Sequence, residues 1–139
     1  MIAIGSDHGG IEYKEKIKEF LEKCEIEVND VGTHTKDSVD YPDIAKKAIG
    51  EIKSGVCQKA ILICKTGTGM SICANRDKDI RAAACESIEV ATLARKHNDI
   101  NVLCLGQSIV SWEVAEEIIK VFLKTPFEGE RHLVRLSKI

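Results

Sequence analysis

Cys64 closes an apolar run and is followed by Lys65-Thr66-Gly67-Thr68-Gly69-Met70-Ser71, a glycine-rich turn that opens into a helix. A helix N-terminus presents unpaired backbone N–H groups and the positive end of a dipole. That setting favours a thiolate, so Cys64 reads as a candidate base or nucleophile, against the plainer reading of a buried strand-end cysteine. The turn itself reads either as an anion cradle built from N–H groups or as a tight turn and nothing more. It is not a dinucleotide fingerprint, because the third glycine would fall at Ile72. Nor is it a P-loop, because no Gly-Lys-Ser/Thr follows at the required spacing.

Three further groups carry chemistry. Ser6-Asp7-His8-Gly9-Gly10 follows a short apolar run, so Asp7 and His8 are either turn residues or groups offered to a ligand. His97-Asn98 stands at the end of a helical pattern, where a histidine complements the dipole or acts as an acid/base group. Arg131 and Arg135 are four apart and share one helical face, as a solvated pair or as an anion clamp.

The elements that must position these groups alternate along the whole chain. Apolar runs at Ile2–Ser6, Ile26–Val31, Ala60–Cys64, Ala82–Cys85 and Asn101–Leu105 predict five strands. Between and after them, apolar residues at three- and four-residue spacing predict helices, for instance Tyr13, Ile17, Phe20, Leu21 and Cys24. Pro42 suits a first helical turn, and a further helix begins at about Met70. Others cover Ile88–His97 and Trp112–Leu123, with Phe127–Ile139 a separate tail after Pro126. Strands apolar throughout belong to a parallel sheet covered on both faces. The expected fold is therefore α/β, a Rossmann-like three-layer α/β/α sandwich on a five-stranded parallel sheet. Ligands of such folds lie beyond the carboxyl ends of the strands.

Composition narrows the classes further. Residues 1–139 are expected to form one domain, with 44% hydrophobic and 30% charged residues. That balance excludes a disordered chain. Twenty basic against 22 acidic residues, a net charge of −2, argue against a general nucleic-acid binder. The longest uncharged apolar run, Ala60–Cys64, is far short of the ~20 residues of a membrane span. Without a signal-like amino terminus the expected location is the cytoplasm, where the six cysteines stay reduced. The five other than Cys64 are expected to pack as small hydrophobes. No paired C-x-x-C or H-x-x-x-H points to zinc, and no metal or cofactor is expected.

Taken in order, Ser6-Asp7-His8-Gly9, Asp40-Tyr41-Pro42-Asp43, Cys64-x-Thr66-Gly67-x-Gly69-Met70-Ser71, Ala94-Arg95-x-His97-Asn98 and Glu128-Gly129-x-Arg131-His132 resemble one family. It is the type B ribose-5-phosphate isomerases, with the allose-6-phosphate and galactose-6-phosphate isomerases. The resemblance spans the chain from first strand to last helix. It implies a metal-free aldose–ketose isomerase working through a cis-enediolate. On that pattern Cys64 is the base, Thr66 positions it, and His97 opens the furanose ring. Backbone N–H groups of Gly67, Thr68, Gly69, Met70 and Ser71 stabilise the oxyanion. Asp7, His8, Tyr41 and Asn98 contact the sugar, and Arg131 and Arg135, with His8, hold the phosphate. The pattern also implies a homodimer, with dimers pairing into tetramers left open, whose sites draw on both chains.

Two departures stand out. The family usually places glycine after the cysteine, where this chain has Lys65, which would be strained if that position needed a positive φ. Many members also carry an arginine in the segment where this chain reads Gly106-Gln107-Ser108. Both leave the reaction class alone and bear on the sugar. Alternatives to ribose 5-phosphate are allose 6-phosphate or free aldoses such as allose and psicose. A non-catalytic phosphosugar-binding module is a third reading, although binding alone needs no proton-transfer groups.

Overall fold

The computed structural model describes all 139 residues. β1 (Ile2–Ser6), α1 (Ile11–Lys23), β2 (Val28–Asp30), α2 (Tyr41–Lys53), β3 (Lys59–Cys64) and α3 (Thr68–Ala74) form the first half. β4 (Ala82–Ala84), α4 (Ile88–Asn98), β5 (Val102–Gly106), α5 (Trp112–Lys124) and the short α6 (Arg131–Leu136) complete the chain. All pairings are parallel, in the order β2-β1-β3-β5-β4.

The three central strands are buried along their length because side chains alternate between two covered faces. Ile2, Ile4, Ile61, Ile63, Leu103 and Leu105 pack on one face with Ile17, Leu21, Ile118 and Phe122. Ala3, Ala60, Leu62, Cys64, Val102 and Cys104 turn to the other, under Ile44, Ala48, Met70 and Ala74. The helices start where local chemistry allows. Ser87 and Ser111 accept the N–H groups of Val90 and Val114, and Pro42 sits in the first turn of α2.

Differences from the sequence reading fall at the sheet edges and element ends. β2 is Val28–Asp30 rather than Ile26–Val31, is half-buried, and pairs only with β1. Before it, Glu25 takes a left-handed φ of 58° and Ile26 donates back to Leu21, which spends two residues on leaving α1. α3 begins two residues before Met70, and β4 stops one before Cys85. Cys24 is a correction: it is exposed, because it caps α1 one turn beyond the last inward residue, Leu21, and Cys73 is half-buried. All six cysteines are free thiols. No helix is long and apolar enough to cross a membrane.

Candidate active site

At the carboxyl edge of the sheet three turns converge. After β1, Asp7 is buried and its Oδ1 accepts the Gly9 N–H at 2.8 Å, which holds the turn in shape. The next residue, His8, is exposed, and its Nδ1 accepts the N–H of Val39 at 3.3 Å. That bond ties the first turn to the loop before α2. Two residues further, Tyr41 opens α2 and lies against the glycine loop, since a Cβ at Gly69 would sit 2.7 Å from Tyr41 Cζ. Any side chain at position 69 would displace the tyrosine ring.

The glycine loop folds back on the cysteine. Cys64 is 5% exposed, and its Sγ accepts the Gly67 N–H at 3.1 Å. Gly67 makes that reach with φ +82°, a conformation that strains other residues. Thr66 Oγ1 accepts the Thr68 N–H at 3.3 Å, and Ser71 N–H donates to Gly67 O. Of the five N–H groups expected to face an oxyanion, three therefore have acceptors within the chain. Those of Gly69 and Met70 have none, and since Met70 is fully buried while Gly69 is half-buried, the Gly69 N–H is the one a ligand oxygen can reach.

The two departures acquire a physical reading. Positive φ among non-glycine residues occurs only at Glu25, Asp99 and Glu130, so Lys65 sits without strain after the cysteine. Gln107 and Ser108 act as a latch. Their N–H groups donate to Cys64 O and Lys65 O, and the Gln107 side chain accepts the Tyr13 N–H at 2.9 Å.

His97, Asn98, Arg131 and Arg135 are elsewhere. α4 leaves the carboxyl end of β4 and runs back to the start of β5, so His97 and Asn98 emerge at the amino edge. Asn101, three residues after Asn98, accepts the N–H of Ala60 near the start of β3. About 13 Å of strand separates Ala60 from Cys64, more than either side chain can span. α6 packs on α4 at that same edge, where Glu128 N–H donates to Lys96 O, and it carries Arg131 and Arg135 exposed. Within one chain, then, Asp7, His8, Tyr41, Cys64 and the residues from Thr66 to Ser71 come together, and the other four do not join them.

Two residues at the amino edge escaped a sequence-based assignment. Arg95 is buried and gives Nη1 to Asp99 Oδ1 at 2.8 Å and to Ile100 O at 2.6 Å, with Nε on Thr125 O. Arg81 holds the other Asp99 oxygen, and together they fix the left-handed turn that ends α4 just past His97. The four-residue spacing of Arg95 and Asp99 is the signal that could have revealed this pair. His132 is the other: its ring stacks on that of His97, with centroids 4.3 Å apart and planes 14° from parallel.

His97, Glu128 and His132 offer ligand atoms within 4.8 Å of one another. Their geometry does not suit a metal. The lone pairs of near-parallel, stacked imidazoles run side by side, whereas a shared ion needs both directed at one point ~2.1 Å away. Arg131 and Arg135 also place positive charge beside His132.

A family model described as ribose/galactose isomerase matches residues 2–139. The chain belongs to that family. Among solved ribose/galactose isomerases, the ribose 5-phosphate isomerase of Thermotoga maritima is 50% identical, with a TM-score of 0.96 over 99% of this chain and 94% of that one. Ribose-5-phosphate isomerase B of Mycoplasma genitalium, solved with bound ribulose-5-phosphate, is 40% identical, with a TM-score of 0.94 over 99% and 91%. The D-erythrulose-4-phosphate isomerase of Pectobacterium atrosepticum is 39% identical over 99% of this chain and 91% of its own. The chain is accordingly a sugar-phosphate isomerase on a five-stranded parallel α/β fold, which retires the binding-only module.

Proposed function

We propose that the protein interconverts ribose 5-phosphate and ribulose 5-phosphate through a cis-enediolate, as a cytoplasmic homodimer whose two sites are each built from both subunits. The observation that carries this reading is the division of the chemistry between the two edges of the sheet. A proton-transfer thiol with free N–H donors lies at one edge, and an imidazole with two exposed arginines lies at the other. A twofold dimer with its sheets side by side and antiparallel sets the carboxyl edge of each chain against the amino edge of its partner. Exposed apolar side chains beside both half-sites support such an interface: Ile72 follows the glycine loop, and Leu133 and Val134 follow Arg131.

The reaction follows from these groups. His97 of one subunit moves the proton between O1 and the ring oxygen, which opens the furanose. Cys64 of the other takes the proton from C2 and delivers it to C1, while a second proton passes from O2 to O1. Charge on the enediolate oxygen is met by the Gly69 N–H at the start of α3, a donor already in position before the substrate arrives. Thr66 stays beside the thiol. Asp7, His8, Tyr41 and Asn98 orient the open chain, and Arg131 and Arg135 clamp the phosphate dianion. The ribulose-5-phosphate bound to the M. genitalium relative supports a five-carbon substrate. The four-carbon activity named for the P. atrosepticum relative makes the sugar the point to test. A coupled assay on one preparation should rank ribose 5-phosphate above allose 6-phosphate, erythrose 4-phosphate and free allose in kcat/KM. A tenfold preference for any of the other three would replace the substrate and leave the reaction class standing.

A further inference from the structure

His132 is 4% exposed, and its buried Nε2 has no hydrogen-bond partner. The closest carboxylate oxygen, Glu128 Oε2, is 3.7 Å away. A buried polar atom without a partner is costly, so the position needs a reason. The reason lies on its face rather than at its edge, in the flat stack on His97. His97 sits in the last turn of α4, half-buried, where an unsupported imidazole would sample several rotamers. Glu128 joins the two elements, because its N–H donates to Lys96 O and its carboxylate lies 3.7 Å from Lys96 Nζ.

We propose that His132 is a positioning residue for His97, holding its ring in one plane and supporting the positive charge it gains on taking a proton. This rests on the ring-opening role of His97 given above. Two stacked imidazoles cannot both be charged without repulsion, so one must stay neutral. His132 is that one. Burial lowers its pKa, and Arg131, His97 and Arg135 lower it further against the opposing pull of Glu128. Its uncharged aromatic face then lies flat against His97, 4.3 Å between centroids, and confines that ring to one plane.

The test is a double-mutant cycle on the full dimer, using the aldose phosphate that the substrate panel ranks first. His132→Ala should lower kcat by roughly 3- to 30-fold, with KM within about twofold. His132→Phe, which keeps a flat ring and cannot titrate, should restore kcat to within about threefold of wild type. In a His97→Ala background His132→Ala should cost nothing more, because a residue acting through His97 has nothing left to act on. Thermal melting controls for folding, and His132→Leu takes the place of the alanine variant if that one unfolds. A further loss from His132→Ala in the His97→Ala background overturns the proposal, as does a phenylalanine variant no better than alanine. If His97→Ala alone leaves kcat unchanged, the ring-opening role fails first and the proposal falls with it.

Discussion

The two proposed half-sites are built by opposite means. At the carboxyl edge the proposed base, Cys64, is buried and the groups around it are largely backbone: the Gly67 N–H on Sγ, and the unpaired N–H of Gly69. Their positions follow from the path of the chain, which the latch at Gln107 and Ser108 and the tie from Val39 to His8 hold in place. At the amino edge the groups assigned a function in that proposal are side chains on helix surfaces. Arg131, Arg135 and Asn98 are exposed in the single chain, and His97 stacks on His132 just before the turn that Arg95 and Asp99 hold. A half-site made of backbone is ready as soon as the subunit folds. On the proposed dimer, one made of long side chains would be finished only when a partner and a substrate order it, at a cost in side-chain entropy.

That contrast can be broken experimentally, and the largest effect is expected at the thiol. Cys64→Ala should lower kcat by about 10²–10⁴-fold on every sugar, with phosphate-ester binding kept within a few-fold. More than roughly a tenth of wild-type activity in steady-state assays would remove Cys64 from the base role.

The support beneath the same half-site comes next. Lys14 is fully buried, and its Nζ contacts both Asp30 oxygens at 2.9 Å and Thr33 O at 2.7 Å, at the start of the loop that leads to Val39. Asp30→Ala would leave that buried ammonium only the Thr33 carbonyl and the exposed Glu15 carboxylate 3.6 Å away, and should cost about 3 kcal/mol in chemical denaturation. Burial pushes the Asp30 carboxyl up, but hydrogen bonds from Lys18, Lys14 and the Gly32 N–H hold it below its ordinary value. A lowered carboxylate pKa contributes stability above the unfolded value of about 3.9 that is lost as pH falls through the lower folded value. Wild type should therefore show a steeper loss of stability below about pH 4 than the alanine variant, measured by urea titration at stepped pH.

At the amino edge, Arg131→Ala or Arg135→Ala should each lower kcat/KM for a phosphosugar by about 10- to 150-fold, the loss of one charge-assisted hydrogen bond. Any turnover of an unphosphorylated aldose should fall far less. Equal losses on both would assign the arginines to the fold or the interface.

The joining of the halves is tested by mixing Cys64→Ala and His97→Ala homodimers, each expected to be nearly inactive on the furanose substrate. With random subunit exchange half the dimers are mixed and one of their two sites is whole, so activity should return to about a quarter of wild type. No recovery, with exchange confirmed by mass spectrometry of tagged chains, would place both groups of a site on one subunit.

The smallest effect is at Lys65. Because its φ is not positive, Lys65→Gly gains no relief of strain and should lower stability by about 0.4–1 kcal/mol through a more flexible unfolded chain. A stabilised glycine variant in thermal melts would mean that the loop is strained after all.

Much of this molecule was legible in the order of its residues, because the relevant physics is local and periodic. Apolar runs gave β1, β3 and β5, Pro42 marked the start of α2, and the strand–turn–helix around Cys64 announced a turn of N–H groups at a sheet edge. Legibility failed where the answer depended on neighbours. Lys14 reads as an ordinary surface lysine of an amphipathic helix until Asp30 and Thr33 O are found beneath it. Val-Asn-Asp becomes a strand only because β1 offers it an edge to pair with.

By itself, then, the sequence determined the succession of elements and the chemical character of each strand end, since both follow from residue type and short-range spacing. Only the tertiary structure decided which functional groups share an edge. Cys64 and Asp7 are 57 positions apart and meet because parallel strands point the same way. His97 is 33 positions from Cys64 and lies at the far edge because the helix that carries it runs back against the sheet.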